Sequence, residues 1–293
     1  MVGSALIPRL LARGHKVLRL VRGRPAPDAP EIAWDPAAGT IDRERLREVE
    51  AVVNLAGANL ARWPWTAAYK REMWESRVRS NGLLASALSE SRGKTAVFHS
   101  ASAVGYYGNR DGEILSENSP PGKGFLADLC KAWEAAMEPA RNAGIRVVQT
   151  RFGVILTGAG GALPKLALPF RFGLGGRIGT GRQYLSWVSF EDAVESIAMA
   201  IERNDFEGPV NVVSPQAVTN AEFARTLAHV LHRPTLLPAP AFAIRAVLGE
   251  MGRETLLSGQ RVEPAVLLDR GYVFRHPSLE VVLRLVFNPR KPI

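Results

Sequence analysis

Two serines, Ser100 and Ser102, close a short apolar run, Ala96-Val97-Phe98, and a Gly105-Tyr106-Tyr107-Gly108 turn follows them. Such a run makes a strand buried on both faces of a parallel sheet. In an open α/β sheet, ligands occupy the crevice at the carboxyl ends of the strands. Hydroxyls delivered there are placed for chemistry or for cofactor contact. The competing reading is that both serines only satisfy backbone groups in the strand-to-loop turn. His99 precedes them on the buried strand, where a hydrogen-bonded core histidine is the simpler reading than a base.

Arg22 is the second feature with chemistry in it. It ends the apolar stretch Lys16-Val17-Leu18-Arg19-Leu20-Val21, with Arg24 just beyond. At this place in dinucleotide-binding folds an acidic residue holds the ribose 2′-hydroxyl, whereas an arginine accommodates a 2′-phosphate. Positions 19–25 carry no Asp or Glu. If a dinucleotide binds, NADP is favoured over NAD; otherwise Arg22 is a solvated surface charge. A third feature is Asn54-Leu55-Ala56-Gly57, whose small residues let the backbone approach a nucleotide closely.

The elements that must position these residues follow from the hydrophobic pattern. Leu6, Ile7, Leu10 and Leu11 recur at helical spacing before Gly14, a natural stop. Strands are expected at 16–22, 31–35, 50–57, 96–98 and 147–156, which together with a first strand absent from the sequence make a six-stranded, mostly parallel sheet, and a further strand is expected at 210–213. Helices are expected over 66–89 and over 124–143, the latter with Leu126, Leu129, Cys130, Trp133 and Met137 on one face. Residues 158–181 are glycine-rich, as substrate loops on such folds often are. Thr219-Asn220-Ala221-Glu222 is a capping box. In the tail, short helices are expected near 242–250, 264–269 and 278–287, and a strand at Gly271-Tyr272-Val273-Phe274. The expected division is a nucleotide-binding domain over 1–157 with later core returns near 184–213, a substrate lobe over 158–240, and a small helical domain over 241–293.

The first helix has no preceding strand and glycine-rich turn. Gly3 falls where the last glycine of a G-x-x-G-x-x-G fingerprint would lie, and the sequence reads as starting about ten residues into such a unit.

Bulk properties narrow the function classes. With 46% hydrophobic and 22% charged residues, the 293-residue chain has the composition of a globular protein with a sizeable core. No window approaches a membrane span or a signal-peptide layout, so no membrane partner is expected. The single cysteine, Cys130, excludes an internal disulfide framework and suits a cytoplasmic setting. The net charge of +9 raises nucleic-acid binding. The basic residues are nonetheless scattered, with no run interleaved with aromatics, and no nucleic-acid partner is expected. No His, Cys, Asp and Glu cluster has metal-ligand spacing.

Taken together, these motifs resemble the extended short-chain dehydrogenase/reductase superfamily, and more narrowly its atypical epimerase-like branch with a small C-terminal domain of unknown function. The residues that carry the resemblance are Val2-Gly3-Ser4, Asn54 to Gly57, Ser100 to Gly108, Phe125-Leu126-Ala127 through Trp133-Glu134, and Arg151 to Leu156. Gly160 to Leu163, Ser186-Trp187-Val188, Leu257 to Val262 and Gly271 to Phe274 add to it. The resemblance implies an α/β, Rossmann-like doubly wound parallel sheet whose first strand is missing here, with a smaller C-terminal α+β lobe. It also implies NADP as cofactor and an unidentified small-molecule substrate, with a homodimer as a further expectation. The cofactor contacts it implies are Gly3, Arg22, Asp35, Asn54, Leu55, Ala56, Gly57, Ser100, Phe152 and Gly153.

Catalytic members of that superfamily use a Ser with a Tyr and a Lys spaced Y-x-x-x-K, one helical turn apart, for proton transfer. Ser102 matches the Ser. The rest of the pattern is absent. None of the five tyrosines has Lys four residues later, and alignment on Glu134 puts Leu126 and Cys130 in those places. Lys131 is one residue off the required face. The remaining acids are Tyr106 and Tyr107, otherwise an aromatic wall, and Asp128, otherwise a first-turn charge favoured by the helix dipole. Two functions are expected in consequence. One is an NADP-dependent epimerase or oxidoreductase using Ser102 and a non-standard acid; the other is a non-catalytic NADP-binding sensor or scaffold.

Overall fold

The computed structural model describes the chain apart from residues 27, 92, 236 and 289–293. Helix α1 (Val2–Ala12) leads to β1 (Arg19–Val21), β2 (Glu31–Asp35), β3 (Thr40–Ile41), the single turn α2 (Arg43–Leu46) and β4 (Ala51–Asn54). Helix α3 (Ala67–Ser91) returns the chain to β5 (Val97–Ala103), after which a 3₁₀ turn over Val104–Tyr107 and β6 (Ile114–Leu115) lead to α4 (Phe125–Ala135). Helix α5 (Glu138–Asn142), β7 (Arg146–Phe152), β8 (Val154–Leu156) and α6 (Leu163–Arg171) follow. Next come β9 (Tyr184–Leu185), β10 (Trp187–Ser189), α7 (Phe190–Glu202) and β11 (Gly208–Val212). The chain ends with β12 (Val218–Thr219), α8 (Asn220–Leu231), α9 (Ala241–Thr255), β13 (Arg261–Val262), α10 (Ala265–Asp269) and α11 (Leu279–Phe287).

Strands β4, β5, β7 and β11 form a parallel sheet in the order β11-β7-β5-β4. Their apolar side chains face helices on both sides, which is why these strands read as nearly continuous apolar runs. On one face Phe98 and Val147 pack with Leu84 and Leu88 of α3 and with Met137. On the other, Leu6 and Leu10 of α1 meet Val194 and Ile197 of α7. Arg9 of α1 and Arg13 just past its end pair with Glu195 at the edge of this contact.

The sheet differs from the expected six contiguous strands. Strands β1 and β2 run parallel, with β3 antiparallel at their edge, as a separate three-stranded unit. Among the described residues β1 and β4 share no ladder; α1 packs between the α7 layer and Val53 and Leu55 beside that division.

The helix expected over 124–143 is two helices, because the chain leaves helical bonding at Ala136-Met137 before Pro139 opens α5. Gly271 to Phe274 is not a strand. Its surroundings are tied instead to buried Asp192, which accepts from the Tyr272 hydroxyl (2.9 Å) and from the backbone N–H of Arg275 (2.8 Å) and His276 (3.1 Å). A carboxylate thus takes the place of a neighbouring strand. The C-terminal lobe has its own core, in which Leu163 and Phe170 of α6, Leu227 of α8 and Leu283 of α11 surround Trp187. The Thr219–Glu222 capping box is formed as the sequence predicts. Among the described residues no helix is long and apolar enough to cross a membrane, and no group of His, Cys, Asp and Glu could hold a metal ion.

Candidate functional site

Strand register decides which side chains meet at the carboxyl end of the main sheet. Ser102 of β5 lies opposite Arg151 of β7, and Arg151 opposite Asn211 of β11. Side chains on adjacent strands at matched positions share a face. Helix α4 lays Glu134 over this row. The Ser102 hydroxyl donates to Glu134 Oε1 at 2.6 Å. The Arg151 guanidinium grips the same carboxylate through both oxygens, Nε to Oε1 at 2.9 Å and Nη2 to Oε2 at 2.8 Å. Bidentate pairing of this kind fixes geometry as well as charge.

The network continues inward. Arg151 Nη1 donates to the Tyr107 hydroxyl at 3.0 Å, and that hydroxyl donates to Asn211 Oδ1 at 2.7 Å. Tyr107 has no solvent exposure, and burial pushes its hydroxyl up to about 12, with nearby Arg151 opposing only in part. Tyr106 differs. It is half-buried, its ring lies 3.5 Å beneath the Arg151 guanidinium, and its hydroxyl has no hydrogen bond among the described residues. Glu117, buried nearby, accepts from the backbone N–H of Asn211 (2.9 Å) and Val266 (3.2 Å), and burial raises its pKa.

Helix α4 carries no proton relay on this face. Leu126 packs against Gly105, where a β-carbon would come 3.3 Å from its own. Cys130 lies beside Ser102, buried, and desolvation with Glu134 next in effect pushes its thiol up to about 12. Lys131 points away and pairs with Asp128 at 3.7 Å on an exposed face. His99 accords with a core role: Nε2 meets Thr150 Oγ1 at 3.1 Å, and burial holds its pKa at about 3.

The other residues singled out from the sequence fall into three groups. Asn54 is buried and spent internally: Nδ2 donates to Ser80 Oγ (3.0 Å) and Asn81 Oδ1 (2.7 Å), and Oδ1 accepts from the Ala56 N–H (3.0 Å). Ser100 also donates to Asn81 Oδ1 at 3.0 Å. These bonds shape the Leu55-Ala56-Gly57 turn. Gly3, Leu55 and Phe152 form a second group, in which Leu55 Cδ1 lies 3.7 Å from a β-carbon placed on Gly3, and Phe152 packs on the same cluster. Gly153 leaves room for the Ser186 carbonyl, which would meet an added β-carbon at 2.6 Å. Arg22 and Asp35 belong to the separate β1–β2–β3 unit. Arg22 is exposed just past β1, and Asp35 caps the β2–β3 turn by accepting from the Ala37 N–H at 2.9 Å.

Sequence reasoning gave no site role to Arg77, Glu117 or Asn211, and named Arg151 and Glu134 only as motif residues of the resemblance. Each lies on an ordinary helix, strand or loop, far in sequence from its partners, so no local pattern marks it. The C-terminal lobe reaches the same region. Glu254 of α9 accepts from the Leu126 N–H at 3.3 Å, placing a negative charge at the α4 N-terminus, and Glu250 pairs with Lys70 at 2.8 Å. Gln260 Nε2 donates to the Gly108 carbonyl at 2.9 Å.

Comparison with known proteins agrees with this architecture. Residues 1–213 match the NAD dependent epimerase/dehydratase family, and residues 239–286 match a domain of unknown function, DUF1731. Epimerase family protein ML0860 of Mycobacterium leprae is 45% identical over 279 residues, covering 95% of this chain and 90% of that protein. The structure of human epimerase family protein SDR39U1 with NADPH superposes with a TM-score of 0.86 at 34% identity, covering 98% of this chain and 95% of that one. The Thermus thermophilus UDP-glucose 4-epimerase complex with NAD shares the fold, at 19% identity and a TM-score of 0.73 over 98% of this chain and 94% of that one. On the family match and the identity to its relatives, the chain belongs to the NAD dependent epimerase/dehydratase family, with a DUF1731 domain at its C-terminal end.

Proposed function

We propose that this chain binds NADP(H) and has lost the proton relay of the catalytic members it resembles, so that it holds the dinucleotide as a sensor or scaffold. The observation that carries this reading is the commitment of the two best-placed hydroxyls. Ser102 donates to an ion-paired carboxylate, and the Tyr107 hydroxyl lies buried between Arg151 and Asn211. A general acid must reach the proton it transfers, and neither hydroxyl is free to do so.

The residues present fit a dinucleotide. Gly57 is exposed in a turn shaped by Asn54, and the Arg77 guanidinium behind it has a buried Nε without a partner. Arg22 is exposed beyond β1 with no acidic residue nearby in sequence, which favours the 2′-phosphate of NADP. The NADPH bound to human SDR39U1 supports the same choice. When bound, the cofactor would supply hydride chemistry. This chain's own residues would hold it at the Gly57 turn, at Arg22 and along the Gly3–Leu55–Phe152 cluster.

A second reading rests on Tyr106, whose half-buried ring and hydroxyl without a hydrogen bond among the described residues leave one acid for an oxidoreductase on a small carbonyl substrate. NADPH titration followed by absorbance decay against a panel of carbonyl compounds separates the two. Saturable binding without substrate-dependent oxidation is expected. Oxidation that disappears in Tyr106→Phe would establish the second reading instead.

A further inference from the structure

Two arginines are buried among the described residues, Arg77 and Arg151. They are built differently. Arg151 is compensated by Glu134 in a two-pronged ion pair. Arg77 of α3 has no carboxylate within ion-pair distance among the described residues. Its Nη1 donates to the Met73 carbonyl at 3.1 Å and its Nη2 to the Ala58 carbonyl at 2.9 Å. Its Nε is buried with no acceptor among the described residues. The Trp133 ring lies 5.0 Å from the guanidinium, and the Trp133 indole N–H is likewise buried and unpartnered.

An uncompensated buried cation is costly, and so is each unmade hydrogen bond beside it. A ligand that supplied the missing negative charge would relieve this cost. The position says what. The guanidinium lies directly behind Gly57, where an added β-carbon would stand 2.9 Å from Cζ and 3.2 Å from Nε. Gly57 itself is exposed at the carboxyl end of β4, the side on which open α/β sheets take nucleotides. Position 130 on the facing helix is an uncharged, buried thiol and Lys131 is turned to solvent, whereas Arg77 is a buried positive charge with no carboxylate partner among the described residues.

We propose that Arg77 is the cationic anchor for the phosphates of a pyridine dinucleotide, which supply the counter-charge that the protein withholds. This rests on the NADP(H)-binding reading above. The charge acts through and around the Gly57 turn, so the glycine is required for close approach and the arginine for attraction. Arg77 is in this respect a binding residue rather than a helix brace, although its two carbonyl contacts also steady the Ala58 loop.

The test uses the full chain as wild type, Arg77→Met and Arg77→Lys, with NADPH binding read by fluorescence titration and ligand-free stability by urea unfolding. Arg77→Met should weaken NADPH by about tenfold or more. Its ligand-free midpoint should match or exceed that of wild type, because a thioether of similar length removes an unpaired charge. Arg77→Lys should bind NADPH more tightly than Arg77→Met. Equal NADPH affinity in wild type and Arg77→Met would overturn the proposal. So would a lowered ligand-free midpoint in Arg77→Met and Arg77→Lys alike with parallel losses of binding, which is the signature of a brace. Wild-type protein that fails to bind NADPH removes the functional reading itself, and this inference with it.

Discussion

Ser102 and Glu134, 32 residues apart in sequence, meet at 2.6 Å, with the serine hydroxyl donating to a carboxylate that Arg151 holds by both oxygens. The serine that the sequence matches to the catalytic position is therefore a buried member of a structural network. Its Glu134–Arg151 pair is nearly dry, with side-chain exposures of 12% and 4%. Removing one partner of such a pair leaves a buried charge unpaired, whereas removing the serine hydroxyl costs one hydrogen bond to a carboxylate that keeps its ion pair.

Glu134→Gln should accordingly destabilise the protein by about 3–5 kcal/mol. Ser102→Ala should cost less, about 1.5–3 kcal/mol for a hydrogen bond to a charged group, and leave NADPH affinity unchanged. Urea unfolding of both variants, with NADPH titration of the second, checks the ranking. A Ser102→Ala variant with intact stability and abolished NADPH binding would return the serine to the ligand site.

Stability should fall on acidification below neutrality because of His99. Its folded pKa is held near 3 by burial, whereas the unfolded side chain titrates near its usual 6.5. Between those values the unfolded chain binds the extra proton, so stability is present above about 6.5 and is lost progressively down to about 3. At pH 5 the loss attributable to this residue is about 2 kcal/mol. Urea midpoints at pH 7 and pH 5 should differ less in His99→Asn than in wild type.

Cys130 should be chemically silent in the folded protein. Burial keeps its thiol protonated up to about 12, and the thiolate is the reactive form. Ellman's reagent should find no fast-reacting thiol in native protein and one in urea. Rapid modification of the native protein would show that α4 opens.

Arg22 should govern cofactor choice. An exposed guanidinium can pair with a 2′-phosphate at little desolvation cost, and NADH lacks that group. Arg22→Ala should weaken NADPH by about tenfold while leaving NADH within about twofold. Equal losses for both nucleotides would place the arginine elsewhere on the ligand or off it.

Where the sequence is legible, the reason is local. The apolar runs of β4, β5 and β7, the capping box at Thr219 and Glu222, and the absence of Tyr-x-x-x-Lys all follow from residues within a few positions of one another. Those relations survive whatever the rest of the chain does. Distant partners are another matter. That Ser102 faces Arg151 depends on the β5–β7 register, and a slip by one residue would turn every side chain on a strand to the other face. That Glu134 lands on both, that Arg77 lies bare behind Gly57, that Asp192 replaces a strand partner at Tyr272, and that β1 stands apart from β4 are products of packing. Side chains brought together across 17 to 80 positions leave no periodic trace in the sequence. The composition, the elements and the family resemblance were thus written locally, and the fate of each polar group at the site was decided only when the sheet and its helices closed on it.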